Sequence, residues 1–182
     1  MLRKLRKFIL PENDIIKLIA SNAQILDIGC GENGLSNRID LEKINSYTGI
    51  DIKIKKKRNS FKVKIYNSEW RDVIKDIKNY DTIIIIDVLH HIAAHNQKNL
   101  IEDTIKNLKK NSTLIYKDIA NKNKFYGLMN RLHDLIYNFQ LINYYDSDNI
   151  INMIKYDKNY SYTYFKKRIY WYDHEFIIIK RL

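Results

Sequence analysis

The stretch that decides the fold is ILDIGCGENG, residues 25–34. It begins with an apolar run and continues with Gly29, Gly31 and Gly34 at the spacing G-x-G-x-x-G. Glycines at this spacing let a backbone turn tightly after a strand and approach a ligand at a helix N-terminus. The spacing alone is typical of dinucleotide sites and of other adenosine-cofactor sites.

Of two carboxylates near this turn, Asp27 distinguishes these alternatives, whereas Asp51 suits any adenosine cofactor. Asp27 lies two residues before the first glycine, where it would repel a pyrophosphate and attract a ligand that carries an ammonium group. S-adenosylmethionine carries an ammonium and a sulfonium. Asp51 follows Gly31 by 20 residues and ends the next predicted strand, where an acidic side chain can accept both ribose hydroxyls of an adenosine cofactor. We therefore expect S-adenosylmethionine rather than NAD.

Strand and helix patterns alternate along the first two thirds of the chain. Short apolar or β-branched runs predict strands at residues 25–28, 47–52, 61–66, 82–88 and 113–116, with helical patterns at 69–79 and 96–110. This alternation predicts an α/β fold with a Rossmann-like, mostly parallel sheet flanked by helices. Residues 160–181 read as two further strands in an antiparallel hairpin, which closes one edge of the sheet.

Length and composition predict one domain spanning residues 1–182. The chain is 45% hydrophobic and has a single proline, so no linker separates two units. Within the domain, residues 1–20 form an N-terminal basic helical segment and residues 121–157 a helical lid insertion. The lone Cys30 can form no intramolecular disulfide, and no apolar run is long enough for a transmembrane segment. We expect a cytoplasmic protein.

The net charge of +11 bears on the partners. A charge of this sign is compatible with nucleic acid or an anionic membrane as a partner. The chain is also rich in lysine, isoleucine and asparagine together, as proteins from AT-rich genomes are, so we interpret most lysines as solvated surface and do not favour nucleic acid. Residues 2–10, LRKLRKFIL, alternate apolar and basic residues at helical spacing. They predict a packed terminal helix, with peripheral membrane contact as the alternative.

The motif order resembles a known family. ILDIGCGENG, followed by YTGIDI, YDTIIIIDVLHHI and STLIYKDI, is similar to the ordered motifs of class I S-adenosylmethionine-dependent methyltransferases, over residues 25–119. The resemblance implies that family's fold, a seven-stranded sheet ending in an antiparallel hairpin. KDI, LHD and WYDHEFIII also resemble a bacterial subgroup of small methyltransferases associated with lipid or secondary-metabolite pathways.

The resemblance implies a role for each matching position in binding the cofactor. Asp27 and the glycine turn hold the methionine portion, Asp51 holds the ribose, and Ile52 packs on adenine. Asn67 and Ser68 stand where the family often has an acidic residue near the adenine amino group. Asp87, Val88 and Leu89 line the floor near the sulfonium. The predicted cofactor-binding residues are Asp27, Gly29, Cys30, Gly31, Gly34, Asp51, Ile52, Asn67, Ser68, Asp87, Val88 and Leu89.

Three residues are candidates for the catalytic base that a hydroxyl acceptor often needs. His91 follows the floor motif directly, while His90 reads as a structural residue of the same turn. Asp118 ends the fifth predicted strand. The alternative to a catalytic role is a surface ion pair with the neighbouring Lys117. His133 lies on the predicted lid. His91 and His95 have the spacing of helical metal ligands, but no third ligand is apparent, so we expect no metal.

We therefore predict an S-adenosylmethionine-dependent methyltransferase acting on a small-molecule or lipid-like acceptor, with O-methylation favoured. An RNA methyltransferase is the alternative that the basic charge supports. A NAD-dependent oxidoreductase and a non-catalytic adenosine-binding module are the alternatives from other classes.

Overall fold

A computed structural model of the chain describes residues 11–32, 34–55, 57–119, 143–169 and 172–182. In these ranges the strands are β1 (Ala23–Ile28), β2 (Ile44–Asp51), β3 (Arg58–Asn59), β4 (Val63–Asn67), β5 (Thr82–Ile86), β6 (Thr113–Ile119), β7 (Tyr160–Ile169) and β8 (Tyr172–Arg181). They form one sheet in the order β3-β4-β2-β1-β5-β6-β8-β7.

Short helices accompany the strands. The α-helices are α1 (Glu12–Lys17), α2 (Trp70–Val73), α3 (Ala94–Asn107) and α4 (Ser147–Ile154), and 3₁₀ turns occupy Gly34–Asn37, Leu41–Lys43, Ile74–Asn79 and Leu89–His91. The helix predicted over residues 69–79 is therefore a single α-helical turn continued by a 3₁₀ helix. No helix in the described ranges is both long and apolar enough to span a bilayer.

The sheet confirms the predicted fold class. The strands β4, β2, β1, β5 and β6 are parallel neighbours, whereas β8 runs antiparallel to β6 and β7 antiparallel to β8. The eighth strand is the two-residue β3, which pairs antiparallel with β4 in the connection after β2. That connection is too short for a helical crossover, so it runs along the sheet edge instead.

The central strands are buried on both faces because helices cover both. β5 has the sequence TIIII, and four of its five residues are buried. One face packs Ile77, Leu100, Ile105 and Ile150 against the sheet, and the other packs Ile15, Leu35 and Ile39. This double covering explains why the strand reads as a continuous apolar run.

Two predicted segments extend beyond the described ranges. Residues 2–10, the candidate membrane contact, lie outside them, and so does the larger part of the predicted lid, residues 121–142. The remainder of the lid contains α4, whose Ile150 and Ile154 are buried against the sheet. The N-cap of α4 is Asp146, which accepts a hydrogen bond from the Asp148 N–H.

The topology fixes where a ligand can meet the protein. The carboxyl ends of β1, β2, β4, β5 and β6 meet at one edge, and β8 begins at that edge because it runs antiparallel to β6. In open α/β sheets this edge is the ligand-binding side.

Candidate functional site

The glycine turn after β1 is held by the end of the neighbouring strand β2. The N–H groups of Gly29 and Cys30 both donate to the Ile50 carbonyl, at 2.8 and 3.0 Å. The Gly31 N–H donates to Asp51 Oδ2 at 3.0 Å, and Asp51 Oδ1 accepts from the Lys53 N–H at 2.8 Å. The Asp51 carboxylate therefore fixes the turn, and its remaining lone pairs can still accept from a ligand.

Two of the glycines are required for different reasons. Gly29 has φ +77°, and a Cβ there would lie 2.3 Å from Val88 Cγ2. Gly31 has φ +63°, but a Cβ there would meet no atom within 4 Å. Gly29 thus lets the turn after β5 approach closely, while Gly31 permits the left-handed backbone beside open space.

Asp27 lies beneath the turn rather than at its open mouth. It is 4% exposed, and its Oδ2 accepts a hydrogen bond from the Tyr47 hydroxyl. That hydroxyl accepts in turn from the Leu35 N–H at 3.2 Å. Burial raises the pKa of Asp27 to about 6, although the Tyr47 hydroxyl and the Leu35 amide act in the opposite direction.

Cys30 is the free thiol of the turn, and it is protonated. Its Sγ donates to the Gly31 carbonyl at 3.2 Å. Burial raises its pKa far above the usual thiol range, and the nearby carboxylates of Asp27 and Asp51 add to this effect. Cys30 is therefore an uncharged part of the turn.

The predicted adenine contacts lie beyond the ends of β2 and β4. Ile52 is 62% exposed, which leaves an apolar side chain in solvent beside Asp51. The Asn67 side-chain amide donates to the carbonyls of Ile52 and Ile54, each at 3.1 Å, and so shapes this loop. The Ser68 hydroxyl donates to Asp72 Oδ2 at 2.9 Å.

The turn after β5 is fastened to β6 through a buried ion pair. Asp87 has φ +54°, which ends the strand before the predicted boundary at residue 88. The Lys117 ammonium, whose side chain is 0% exposed, donates to both Asp87 carboxylate oxygens at 2.6 and 2.8 Å. The Asp87 N–H also donates to the Lys117 carbonyl at 2.9 Å. Lys117 therefore fixes the predicted floor of the site.

The other floor residues divide between two roles. Val88 contacts the glycine turn at Gly29. Leu89 is fully buried in the core that contains β5 and α3, so its side chain supports the floor from below.

His90 and Asp118 form a buried pair at the same rim. His90 Nδ1 lies 2.6 Å from Asp118 Oδ1, and that oxygen also accepts from the Ile119 N–H at 2.8 Å. An ionised carboxylate can only accept hydrogen bonds, so Nδ1 donates to it. In the neutral form of His90, Nε2 then carries the lone pair. Within the part of the chain that the structure describes, Asp118 Oδ2 is buried without a hydrogen-bond partner. The surface ion pair of Lys117 with Asp118 is therefore wrong, since each residue is buried with a different partner.

The remaining histidine candidates are placed differently. His91 lies at the surface, and its ring centroid is 4.1 Å from that of His90. Desolvation of the covered part of its ring, helped by His90, lowers its pKa to about 4. His133 lies outside the described residues.

Three side chains at this rim have the chemistry of metal ligands. Asp87, His90 and Asp118 present ligand atoms within 4.8 Å of one another. The Lys117 ammonium already supplies a positive charge to Asp87 within this group.

Three residues of the site were missed or misjudged from the sequence, namely Tyr47, His90 and Lys117. Each acts through a partner between 20 and 30 positions away along the chain. For Tyr47 the sequence holds one local signal. Gly49 lies two positions later on the same strand face, and a glycine there leaves room for the tyrosine ring.

The fold and the glycine turn define a class of protein. A glycine turn at the carboxyl edge of a parallel sheet, braced by an acidic residue that ends the next strand, is an adenosine-cofactor site. Residues 1–156 match the family model described as a methyltransferase domain. The chain therefore belongs to the class I S-adenosylmethionine-dependent methyltransferases, and its cofactor is S-adenosylmethionine. The glycine spacing thus serves this cofactor rather than NAD.

Solved structures share the fold. The magnesium protoporphyrin IX methyltransferase of Synechocystis PCC 6803, with bound S-adenosylhomocysteine, is 14% identical, with a TM-score of 0.68 over 98% of this chain and 87% of that chain. The N-methyltransferase NodS of Bradyrhizobium japonicum is 12% identical, with a TM-score of 0.59 over 98% and 96% of the two chains. An O-methyltransferase family protein of Burkholderia thailandensis is 12% identical, with a TM-score of 0.65 over 94% and 55%. No curated protein matches the sequence.

The described residues fit the cofactor on two physical grounds. Open space lies beside the Gly31 backbone, where a ligand can approach. Ile52 offers an exposed apolar surface directly after the carboxylate that suits a ribose.

Proposed function

We propose that this enzyme transfers the methyl group of S-adenosylmethionine to an oxygen of a small-molecule or lipid-like acceptor. The observation that carries the proposal is the buried His90–Asp118 pair at the ligand-binding edge of the sheet. A hydroxyl acceptor must lose a proton as it takes the methyl group, and a carboxylate-oriented imidazole is suited to accept that proton.

We propose a role in cofactor binding for residues in and around the glycine turn. Asp51 accepts the ribose hydroxyls with the lone pairs that Gly31 and Lys53 leave over, and Ile52 covers one face of the adenine. Asn67 and Ser68 lie at the adenine edge. Asp27 attracts the ammonium of the methionine portion from beneath the turn. Gly29, Cys30, Gly31 and Gly34 supply the backbone of the turn, and Asp87, Val88 and Leu89 supply the floor.

His90 is the general base in this proposal, and Asp118 is its positioning carboxylate. S-adenosylmethionine supplies the methyl group on a sulfonium, which leaves as a neutral thioether when the acceptor oxygen attacks in line. Nε2 of His90 takes the acceptor proton, and the negative charge of Asp118 stabilises the imidazolium that forms. Burial of the pair keeps water from the reacting groups.

Two other candidates for the base remain proposals. His91 has a pKa of about 4, so it is neutral at pH 7 but a weak base. His133 belongs to the predicted lid, which we propose contributes acceptor-binding residues. N-methylation is the main rival reaction, because an amine acceptor needs little help from a base.

An RNA methyltransferase remains the alternative partner class, supported by the net charge of +11. We favour a small acceptor because the position after β5 reads Asp87-Val88-Leu89-His90 and not the Asn/Asp-Pro-Pro-aromatic motif of base-amino methylation. We place the enzyme in the cytoplasm, where a free thiol such as Cys30 stays reduced. Contact of residues 2–10 with a membrane surface is a further possibility for a lipid-like acceptor.

Calorimetric titration with S-adenosylmethionine, S-adenosylhomocysteine and NAD tests the cofactor site. The wild type should bind both adenosyl ligands and not NAD. Asp51→Ala should weaken binding by about 100-fold, since it removes charged hydrogen bonds to ribose and the brace of the turn. Asp27→Ala should weaken it less. Asp76→Ala, on the exposed side of a 3₁₀ helix, is the control and should bind normally. Binding of NAD alone would overturn the proposal.

Transfer of a labelled methyl group tests the acceptor and the base. Phenols, carboxylic acids, hydroxylated lipids, amines and transfer RNA are offered in parallel. With a hydroxyl acceptor, His90→Ala and Asp118→Asn should lower turnover by about 100-fold or more while S-adenosylhomocysteine binding is retained. Exclusive labelling of RNA would establish the alternative, and normal turnover of both variants would remove His90 from the mechanism.

A further inference from the structure

The side chain of Tyr47 lies along one face of the sheet, beneath the glycine turn. Tyr47 is fully buried and pairs in register with Ile25, while Gly49, two residues on, pairs with Asp27. A Cβ on Gly49 would lie 3.1 Å from Tyr47 Cε1 and 2.7 Å from Cys30 Sγ. Because Gly49 has no side chain, the tyrosine ring can extend past it toward the carboxyl end of β1.

The Tyr47 hydroxyl joins two parts of the cofactor site. It donates to Asp27 Oδ2 at the end of β1 and accepts from the Leu35 N–H in the 3₁₀ turn Gly34–Asn37. Those two points flank the glycine turn on either side. One hydroxyl thus fixes both the carboxylate beneath the turn and the helical turn that follows it.

Few other groups determine the charge of Asp27. Burial is the largest effect against its ionisation, and the charge of Asp51 at the end of β2 adds to it. The Cys30 thiol beside it stays protonated and carries no charge. From β5, Asp27 is paired with the apolar Ile84. Tyr47 and the Leu35 amide are the hydrogen-bonding groups that favour the ionised carboxylate.

We propose that Tyr47 is a positioning residue for the cofactor, whose hydroxyl keeps the Asp27 carboxylate ionised and oriented toward the ammonium of S-adenosylmethionine. The inference rests on the proposed role of Asp27 in binding that ammonium. Tyr47 acts through Asp27 and does not itself contact the cofactor.

The test is the pH dependence of S-adenosylhomocysteine binding in wild type and Tyr47→Phe, measured by calorimetry from pH 5.5 to 8.5. A hydrogen bond to an ionised group commonly changes an ionisation constant by about tenfold. Because the pKa of Asp27 is about 6, the loss of this bond moves its titration toward pH 7. Tyr47→Phe should then bind about fivefold more weakly than wild type at pH 6 and nearly equally at pH 8.

Matched variants separate this role from a general effect of removing a buried hydroxyl. Tyr116 is an equally buried tyrosine on the other face of the sheet, so Tyr116→Phe should leave the pH profile unchanged. In an Asp27→Asn background, Tyr47→Phe should add no pH dependence. A Cβ on Gly49 crowds both the Tyr47 ring and the Cys30 side chain. If circular dichroism finds Tyr47→Phe unfolded, Gly49→Ala made together with Cys30→Ala replaces it, with Cys30→Ala alone as the control.

The outcomes are distinct. A wild-type to variant affinity ratio that grows as the pH falls supports the inference. A ratio that is constant across the pH range, or equal to one throughout, overturns it and leaves the cofactor site standing. Failure of the wild type to bind S-adenosylhomocysteine at any pH overturns the proposed function itself.

Discussion

The two halves of the ligand-binding edge are built in different ways. At β1 and β2, backbone amides, glycine conformations and one carboxylate shape the turn, through contacts such as those of Gly29 and Cys30 with the Ile50 carbonyl. At β5 and β6, two buried side-chain pairs form the rim, Asp87 with Lys117 and His90 with Asp118. The first half is a backbone surface, and the second is a side-chain network.

This difference matches the proposed division of labour. A cofactor with a constant structure can be recognised by backbone geometry, which many side-chain substitutions leave intact. An acceptor differs between enzymes, so its side of the edge depends on side chains whose positions need tertiary support. We therefore expect substitutions in the side-chain network to damage folding or turnover, and substitutions in the turn to damage cofactor binding first.

The largest expected effect on stability is at Lys117. Lys117→Met removes the ammonium that donates to both carboxylate oxygens of Asp87. Breaking a buried ion pair on one side typically costs about 3 to 5 kcal/mol. Chemical denaturation at pH 7 should show a loss of this size in the free energy of unfolding.

An exposed pair provides the control for that measurement. Lys109 Nζ lies 2.6 Å from Asp81 Oδ1, but the two side chains are 35% and 39% exposed. Lys109→Met should cost less than about 1 kcal/mol because solvent screens the pair. Equal losses for the two variants would contradict the claim that burial makes the Asp87–Lys117 pair important.

The contact between the two halves gives the next largest effect. Gly29→Ala places a Cβ 2.3 Å from Val88 Cγ2 on a backbone with φ +77°, so it should destabilise the fold by about 3 kcal/mol. Gly31→Ala meets no atom and should cost about 1 kcal/mol from backbone strain alone. Thermal unfolding compares the two.

In a binding assay, we expect the larger effect from Gly31→Ala, although Gly29→Ala has the larger effect on stability. Among the folded variants, Gly31→Ala should weaken S-adenosylhomocysteine binding because the added methyl group enters the space beside the turn. In Gly29→Ala, adding Val88→Ala should restore part of the lost stability, since it removes the nearest clashing atoms. If Gly31→Ala were the less stable variant, the assignment of Gly29 to packing would be wrong.

The last comparison predicts a gain in stability instead of a loss. Asp27 has a pKa of about 6 in the folded protein and 3.8 as a reference, so the folded state binds more protons between these values. Stability therefore falls as the pH rises from about 4 to about 6, where the buried carboxylate ionises. Asp27→Asn should stabilise the unliganded protein by about 3 kcal/mol at pH 7 and by less than about 1 kcal/mol at pH 4.

This gain should be accompanied by a loss of cofactor binding. The wild type and Asp27→Asn are compared by thermal unfolding at pH 4 and pH 7, and by titration with S-adenosylhomocysteine at pH 7. Asp76→Asn, on an exposed 3₁₀ turn, should change neither quantity. A stabilisation of Asp27→Asn that is the same at both pH values would contradict ionisation as its cause.

Much of the fold could be predicted because its signals are local. The apolar run of β5, the glycines of the turn and the alternation of strands with helices are features of short sequence windows. The predicted boundaries failed where tertiary geometry intervened. β5 ends before Asp87 because that residue turns back to meet Lys117, and β3 forms because the connection after β2 must cross the sheet edge.

In the candidate site, too, the residues with local sequence signals could be predicted and those with distant partners could not. Asp27, Asp51 and the glycines could be identified by their spacing, since a turn at a strand end leaves a regular pattern. His90 and Lys117 could not be assigned, because the sequence does not reveal which of several neighbouring polar residues point into the core. His91 and Asp118 are both candidates from the sequence, and the structure gives Asp118 a buried partner in His90 while His91 lies at the surface.

The sequence by itself determined the α/β class, the glycine turn and the two carboxylates that suit S-adenosylmethionine, because these depend on periodicity and spacing along a single strand and its turn. Only the tertiary structure decided that Tyr47 holds Asp27, that Lys117 holds Asp87 and that Asp118 faces His90. Those pairs join residues on different strands or turns, and the register of neighbouring strands at one sheet edge brings them together.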